Sequence, residues 1–481
     1  MDKKYFYITT TLPYVNAEPH VGFAMELIRA DIVARAKKLQ GFEVFFNTGT
    51  DEHGQKLWVA SQEAGEDVKS YVDKYAESFK KLKPLLGVSE DIVFIRTTDT
   101  KHEKAAQAFW NRCNENGFIY KKNYKIKYCI GCELEKTDSE LNEEGKCPIH
   151  PNKDIELRDE ENYFFKFSEF QKPLLNFYES HPTFVVPDFR FNEIKAFVQR
   201  GLEDFSISRV ASKMPWGVPV PGDETQVMYV WFDALVNYIS TLGWPSDTEL
   251  FSKFWTGENN IQYCGKDNLR QQSAMWQAML MAAHLPNSHK IVINGFFTGA
   301  GGIKMSKSLG NVVSPEELVR EYGTEALRYF VVGEVSMFED SPFTKEAFHD
   351  AYNAKLANGI GNLTSRIMKM AETYLEESIS VSMKSVDEPL FWNAINNFEL
   401  HSAMKMIFDK VSTLDTLIQQ KEPFKLIKTE PEVAKGLLRD LVLGLYEVGS
   451  MLEPFLPETS KKIKELVEQN KSPETPLFLR K

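Results

Sequence analysis

The start of the chain restricts its fold more than any other stretch. A strand-like run at residues 5–8 leads into a loop at 9–23, and a segment with apolar residues at helical spacing follows at 24–40. A wholly apolar run at 44–46 is typical of a strand buried on both faces of a parallel sheet. Strand, helix and strand in this order predict a right-handed crossover unit of a doubly wound α/β fold.

The loop between this strand and helix predicts an anion site. The N–H groups of a first helical turn and the helix dipole both favour negative charge there, and the loop contains His20 and Gly22. The glycine pattern of a dinucleotide fold is absent, which argues against NAD. Asp51 and His53 follow the second strand, at the edge where ligands bind in open α/β sheets. The alternative is a capping aspartate beside a solvated histidine.

Composition and charge exclude several classes of protein. A chain of 481 residues is too long for one ordinary core, and 43% hydrophobic with 26% charged residues is typical of globular proteins. No apolar run is long enough to cross a membrane, and no signal peptide precedes the first strand, so we expect a cytoplasmic protein. A formal charge of −11 argues against coating of nucleic acid by bulk electrostatics, but not against a local surface for one folded RNA.

Two pairs of residues have the spacing of zinc ligands. Cys129 and Cys132 form the first pair, and Cys147 and His150 form the second. Three thiolates and one imidazole complete a tetrahedral shell without an open position, so we predict one structural zinc ion per chain. The alternative is two unrelated pairs of reduced residues.

Further strand-like runs follow at 227–235, 261–263 and 291–293 and predict a second half-sheet, whereas 55–117 is predicted to be mainly helical. Beyond residue 340 the pattern is all-helical, with long 3.6-residue periods. We therefore predict a Rossmann-like doubly wound parallel sheet, split by a zinc-bearing insertion and followed by an all-α helical-bundle domain. The predicted boundaries are 1–116 and 226–300 for the two halves of the catalytic domain, 117–225 for the insertion, 301–345 for a lysine loop and linking segment, and 346–481 for the bundle.

The lysine loop predicts a phosphate-binding element. Residues 299–311 read G-A-G-G-I-K-M-S-K-S-L-G-N, so glycines that allow movement precede Lys304 and Lys307. A lysine is a compact point charge that suits a phosphate chain. The alternative is a basic surface turn.

Together these motifs resemble class I aminoacyl-tRNA synthetases, and among them the methionyl-tRNA synthetases, over nearly the whole chain. The run K-M-S-K-S at 304–308 is identical to the family's signature loop, and P-H-V-G at 19–22 matches the start of its HIGH signature. The zinc knuckle and the run Y-V-W-F-D-A at 229–234 narrow the class to methionine. The resemblance implies ATP-dependent activation of L-methionine to methionyl adenylate and transfer to tRNA(Met), with Mg²⁺ accompanying ATP. The alternative is a catalytically impaired paralogue that retains tRNA or ligand binding.

The resemblance also implies roles for individual residues. His20, Lys304 and Lys307 are expected to be catalytic. The binding residues it implies are, for ATP, His20, Gly22, Gly265, Asp267 and Lys307; for methionine, Leu12, Tyr14, Asp51, Trp231, Tyr238 and Gln272; and for the anticodon, Asn362, Arg366 and Phe424.

Four positions depart from the family pattern. Phe23 replaces the last histidine of the HIGH signature, and loss of one preorganised donor costs about 2.7–4 kcal/mol of transition-state stabilisation. Asn268 and Gln272 replace an apolar residue and a histidine, so we expect a more polar methionine pocket. Phe424 replaces a tryptophan and can still stack. No appended domain is expected after the bundle, and a monomer is the simplest expectation.

Overall fold

The predicted strand–helix–strand unit opens the chain. The computed structural model describes residues 3–129, 134–136, 141–148, 152, 154–257, 259–299, 313–379 and 388–481. The first helix begins at Val21 rather than at Ala24, because His20 caps it: the His20 Nδ1 atom accepts the Gly22 N–H at 3.1 Å. The elements of this first part are β1 (Lys4–Thr9), α1 (Val21–Leu39), β2 (Phe42–Thr50), α2 (Gln55–Ala64), α3 (Val68–Leu85), β3 (Val93–Arg96) and α4 (Thr100–Glu115).

The middle of the chain is built mainly from antiparallel strands. The long pair of strands β4 and β6 runs from Ile119 opposite Phe165 to Cys129 opposite Ile155. The elements are β4 (Ile119–Cys129), β5 (Leu134–Lys136), β6 (Ile155–Phe165), α5 (Gln171–Ser180), β7 (Val185–Val186), α6 (Asp188–Gln199), β8 (Phe205–Ser206), β9 (Ser208–Val210), β10 (Pro219–Val220) and β11 (Asp223–Met228).

The chain then returns to the parallel sheet. A π-helical turn at Gln271–Met275 leads into the helix that connects β12 to β13. The elements are α7 (Val230–Ala234), α8 (Asn237–Ser240), α9 (Glu249–Phe254), β12 (Asn260–Gly265), α10 (Trp276–Ala282), β13 (Lys290–Asn294) and β14 (Phe297–Thr298).

The last part is helical, as predicted. A π-helical stretch at Tyr352–Gly361 runs directly into the next α-helix. The elements are α11 (Pro315–Tyr322), α12 (Thr324–Gly333), β15 (Ser341–Pro342), α13 (Lys345–Ala351), α14 (Asn362–Tyr374), α15 (Pro389–Asn396), α16 (Leu400–Lys421), α17 (Pro423–Leu426), α18 (Pro431–Leu452) and α19 (Pro457–Gln469).

The central sheet is parallel and has the order β3-β2-β1-β12-β13-β7. The two halves of the sheet therefore meet where β1 pairs with β12, with Thr9 beside Gln262. Strands β2 and β3 lie so close that a Cβ atom on Gly49 would come within 1.9 Å of the Ile95 carbonyl oxygen. Ligands bind in such sheets beyond the carboxyl ends of the strands, where the strand order reverses.

Two strand assignments differ from the sequence prediction. The region 55–117 is mainly helical, as predicted, and contributes one short strand, β3, which pairs with β2 at the sheet edge. The prediction that the run at 227–235 belongs to the second half-sheet was wrong: β11 pairs antiparallel with β9 and β10 in a separate small sheet. Conversely, β7 lies within the predicted insertion and yet joins the parallel sheet beside β13.

Helix α1 lies at the boundary between the sheet and the helical region. Its apolar residues, among them Ile28 and Ile32, belong to one core that extends from β1 to α12, α16 and α18. The α1 segment also buries charged residues, and the Arg29 side chain donates to backbone carbonyl groups at Val331 and Met337. No helix in the described part of the chain is long and apolar enough to span a bilayer.

Candidate functional site

A cleft of about 270 Å³ lies where β1, β12 and β13 end and α1 begins. Its walls come from three segments that are far apart in the sequence, so only the parallel sheet brings them together. The lining residues are Thr11, Pro13, His20, Gly22, Phe23, Met25, Glu26, Gly265, Asp267, Asn268, Asn294, Gly295, Phe296 and Phe297.

His20 stands exposed at the mouth of this cleft. Because its Nδ1 atom accepts the Gly22 N–H, a neutral imidazole carries its proton on Nε2. A Cβ atom at position 22 would lie 2.9 Å from the imidazole Cε1 atom, so a larger residue there would displace the His20 ring from its capping position. The cap and the helix N-terminus therefore form one unit that favours an anion.

Phe23 forms both a wall of the cleft and part of the core. Its ring makes an edge-to-face contact with Phe79 of α3, with ring centroids 5.3 Å apart and an interplanar angle of 81°. Behind the ring it also borders a small apolar space beside Leu27 and Phe94. The aromatic ring therefore has a packing role at the position where the family has a histidine.

Glu26 is a cleft residue that the sequence prediction missed. Its side chain is 7% exposed, and one of its carboxylate oxygens accepts the Thr11 N–H at 2.7 Å. Burial raises the pKa of this carboxyl group to about 8, although the hydrogen bond from Thr11 opposes the shift. The sequence feature that could have identified Glu26 is its position as a single acidic residue one turn beyond Gly22, in an otherwise apolar stretch.

Gly265 and Asp267 face His20 across the cleft, at the end of β12. A Cβ atom on Gly265 would come within 2.9 Å of the Phe296 ring, so the close approach of two loops requires a glycine. Asn268 donates to the Asp267 carboxylate at 3.1 Å. It therefore lines the cleft beside Asp267, and its amide group is bonded within that wall.

A buried acidic cluster lies beside the cleft, at the end of β2. Asp51 is 3% exposed, and its Oδ1 atom has no hydrogen-bond partner among the described residues. Burial and the negative charge of Asp233 raise the pKa of Asp51 well above its ordinary value. Tyr14 lies alongside, since its backbone bridges to Asp51. An acidic side chain with an unsatisfied oxygen fits a small cation.

His53 is held by Asp233, a residue that the sequence prediction did not single out. The His53 Nδ1 atom lies 2.8 Å from the Asp233 Oδ2 atom, and both side chains are buried. Burial disfavours charge on the imidazole, but the attraction and hydrogen bond of Asp233 outweigh it and raise the pKa of His53. This pair anchors α7 to the end of β2.

The residues expected at the methionine site differ in exposure, and one of them lines a second cavity. Leu12, Tyr238 and Gln272 are buried, and the Gln272 amide donates to the Tyr238 hydroxyl at 2.5 Å. Trp231 is half-buried and lines a second cavity of about 640 Å³. Tyr229 lines the same cavity, and the Arg209 guanidinium lies over the Tyr229 ring.

The expected anticodon residues lie on the surface of the helical region. Asn362 is exposed at the start of α14, and Arg366 follows one turn later, where its guanidinium pairs with Asp415 of α16. Phe424 on α17 is 43% exposed, which leaves its ring available for stacking.

Several predicted site residues lie outside the described part of the chain. These are Lys304, Lys307, Cys132, His150 and the side chain of Cys129. Cys147 is described and fully buried, although the turn around it at 141–148 is mostly exposed. Over the described ranges, no group of three or more potential metal ligands comes together.

Comparison with known proteins identifies the family. The family model described as tRNA synthetases class I (M) matches residues 6–155 and 143–368. The methionine–tRNA ligase of Thermotoga maritima is 38% identical over 474 residues, which cover 95% of this chain and 74% of that protein. The enzyme of that name from Brucella suis is 37% identical over 481 residues, which cover 97% and 92%.

Solved structures agree with the sequence relatives. The Mycobacterium tuberculosis methionyl-tRNA synthetase in complex with methionyl-adenylate matches with a TM-score of 0.87 and 33% identity, over 99% of this chain and 100% of that one. The free form of the same protein matches with a TM-score of 0.82 and 30% identity. The chain therefore belongs to the methionyl-tRNA synthetases, a family of class I tRNA synthetases.

Proposed function

We propose that the cleft at the N-terminus of α1 is the adenylate site of a methionine–tRNA ligase. As a member of its family, the chain activates methionine with ATP and transfers it to tRNA. The observation that carries the site assignment is the meeting of the His20-capped helix N-terminus with Gly265 and Asp267 across one cleft. In this assignment His20 and Gly22 hold the ATP phosphates, and Gly265 and Asp267 hold the ribose.

The amino-acid site is proposed beside this cleft. The methionine ammonium group binds Asp51, whose unsatisfied carboxylate oxygen supports the assignment. The backbone of Tyr14 bridges to that of Asp51. Leu12, Tyr14, Trp231 and Tyr238 are proposed to enclose the thioether, with Gln272 facing the same pocket.

The chemistry needs positioning and charge stabilisation rather than a covalent enzyme intermediate. The methionine carboxylate attacks the α-phosphorus of ATP, and pyrophosphate leaves with the bonding electrons. Charge that develops on the phosphate oxygens is met by the α1 N-terminus, by the His20 imidazole, and by Lys304 and Lys307 of the predicted lysine loop. The adenylate is then attacked by a hydroxyl group of the terminal adenosine of tRNA, and AMP leaves. Mg²⁺ is proposed to arrive with ATP.

Methionine-dependent exchange between ATP and pyrophosphate tests this function. We expect exchange with L-methionine and much weaker exchange with the other amino acids. Lys307→Ala should abolish exchange without changing the melting temperature, whereas Lys345→Ala, at an exposed lysine of α13, should leave exchange unchanged. Persistent exchange in Lys307→Ala would refute the loop assignment. Absence of exchange with every amino acid would favour the impaired paralogue.

A structural zinc ion is proposed for Cys129, Cys132, Cys147 and His150. Three thiolates and an imidazole fit zinc in a closed tetrahedral shell. The full burial of Cys147 within an otherwise exposed turn supports this set, because a ligand thiol is enclosed by its partners. The ion would stabilise the insertion and take no part in the chemistry. Elemental analysis should find about one zinc per chain, and a metal-free preparation with unchanged secondary structure would contradict the proposal.

Further assignments concern the anticodon, the compartment and the oligomeric state. Asn362, Arg366 and Phe424 are proposed to read the tRNA(Met) anticodon by hydrogen bonding and stacking. The proposed compartment is the cytoplasm, where reduced thiols persist, and the proposed state is a monomer. The domain boundaries 1–116, 117–225, 226–300, 301–345 and 346–481 stay predictions.

A further inference from the structure

We propose that Ser288 and Gln277 are positioning residues for methionine selectivity. They fix the direction of a buried chain of hydrogen bonds that ends at Tyr238, so that the Tyr238 hydroxyl donates its proton into the methionine pocket. The inference rests on the proposed placement of the methionine side chain beside Tyr238.

The chain of hydrogen bonds has four links. Gln277 Nε2 donates to Ser288 Oγ at 3.0 Å, and Ser288 Oγ donates to Gln262 Oε1. Gln262 Nε2 then donates to Gln272 Oε1 at 3.0 Å, and Gln272 Nε2 donates to the Tyr238 hydroxyl oxygen at 2.5 Å. All five side chains are at most 2% exposed, so bulk water does not supply alternative partners.

Backbone groups determine which way the chain runs. The Gln277 Oε1 atom accepts the Ser288 N–H at 3.0 Å, and the Gln277 Nε2 atom donates to the Gln272 carbonyl at 2.9 Å. A backbone N–H only donates and a carbonyl only accepts, so the Gln277 amide has one possible orientation. Ser288 Oγ therefore accepts a hydrogen bond from Gln277 and donates one to Gln262. Each later amide is oriented by the link before it.

The consequence at the end of the chain concerns a single proton. Because the Tyr238 oxygen accepts from Gln272, the hydroxyl proton is left to be donated elsewhere. A thioether sulfur is a weak acceptor, whereas the methylene group of norleucine at the same position is none. If the Gln272 amide turned by about 180°, its oxygen would face Tyr238 and accept the hydrogen bond from the Tyr238 hydroxyl group. The chain therefore favours methionine over its isostere, and none of its glutamine and serine side chains titrates.

Exchange kinetics with L-methionine and L-norleucine test the proposal. In Ser288→Ala the first two links are lost, and the direction of the chain is no longer imposed. We expect the ratio of kcat/KM for methionine to that for norleucine to fall roughly 3- to 10-fold, the value of one neutral hydrogen bond. Norleucine kinetics should change little, and Ser288→Thr should restore the ratio. Ser61→Ala is the matched control, because Ser61 is also buried but donates to the Trp58 backbone carbonyl, outside the chain of hydrogen bonds.

A second variant covers the case in which Ser288→Ala does not fold. Gln262→Met is similar in shape, and its thioether cannot donate to the Gln272 oxygen, so the orientation of the Gln272 amide is no longer imposed. The ratio of kcat/KM for methionine to that for norleucine should fall in this variant as well. An unchanged ratio in either folded variant would overturn the proposal. Absence of methionine-dependent exchange in the unmodified protein would instead refute the proposed function on which it rests.

Discussion

At the scale of single residues, Phe23 shows how packing can replace a catalytic side chain. Its ring is held by Phe79 and faces the cleft with its other side. The His20 imidazole and the N-terminus of α1, whose helix dipole favours negative charge, remain beside the cleft. We infer that transition-state charge is stabilised by these groups and by the two lysines of the proposed loop.

Phe23→His tests this inference. We expect the free energy of unfolding to fall by about 1 kcal/mol, because an aromatic pair is lost. We expect the rate of ATP–pyrophosphate exchange to change little, since the other donors suffice. Phe79→Leu is the control, because it removes the same aromatic pair without adding an imidazole. A rate increase of about 10²-fold or more in Phe23→His would show instead that the missing donor limits the reaction.

Glu26 is the second residue for which the surroundings determine the chemistry. Its pKa is about 8 in the fold, against 4.5 for an ordinary glutamate. The folded protein therefore holds a proton that the unfolded chain releases between these values, and the unfolding free energy falls as the pH rises through this window. Glu26→Gln should lack this contribution. Between pH 4.5 and pH 7 the unfolding free energy of the unmodified protein should therefore fall by on the order of 3 kcal/mol more than that of Glu26→Gln.

Denaturant unfolding across this pH range measures the difference. Glu63→Gln, at an exposed position of α2, should follow the unmodified protein at every pH. If Glu26→Gln also followed the unmodified protein, the carboxyl group would titrate normally in the fold.

At the scale of elements, local sequence predicted the strands whose neighbours are close in the chain. The β1–α1–β2 unit follows from apolar periodicity, because a buried parallel strand and its crossover helix have distinct patterns. Strand β7 was not predicted because it has only two residues, and β11 was assigned to the wrong sheet. Their partners β13 and β9 are decided by tertiary packing.

The same limit applies to the site. Residues inside family motifs, such as His20 and Asp267, were predictable and line one cleft. Glu26 and Asp233 were not singled out, because their importance comes from burial and from partners at Thr11 and His53. A linear sequence does not display which distant backbone or side-chain group will face a buried carboxylate.

Helix α14 carries a prediction of its own. Arg366 and Asn362 lie one turn apart, and Arg366 is paired with Asp415 of α16 before any RNA is bound. Arg366→Ala should reduce kcat/KM for aminoacylation of tRNA by a factor that corresponds to about 1–3 kcal/mol of lost binding energy. ATP–pyrophosphate exchange should be unchanged. Arg439→Ala on α18 serves as the control. Equal loss of exchange in Arg366→Ala would point to a folding defect rather than to an RNA contact.

At the scale of the whole molecule, buried charges tie the catalytic sheet to the helical region. Arg328 of α12 is fully buried and its Nη1 atom lies 2.9 Å from the Asp31 carboxylate of α1. The same guanidinium donates to the carbonyl groups of Phe455 and Pro454, between α18 and α19. One side chain thus joins the helix that carries His20 to the end of the helical region.

Arg328→Met should be among the most destabilising single changes in the chain. It leaves the Asp31 carboxylate buried and only partly paired, with Arg35 and Ser89 remaining as partners, and such a loss typically costs about 3–5 kcal/mol. Lys369→Met removes an exposed pair with Glu372 and should cost no more than about 1 kcal/mol. Thermal unfolding of both variants at neutral pH measures the difference.

The pH dependence of this loss distinguishes the ion pair from simple packing. Burial raises the pKa of Asp31, but Arg328 and Arg35 outweigh it and hold the pKa below the ordinary 3.8. The stability that this carboxylate contributes is therefore present above the unfolded-state pKa and is lost as the pH falls through the folded-state value. The gap between Arg328→Met and the unmodified protein should accordingly narrow towards acid pH, and Asp31→Asn added to Arg328→Met should recover part of the loss. A gap that stays constant with pH, together with no recovery in the double variant, would mean that Arg328 acts through its packing and its bonds to backbone carbonyls alone.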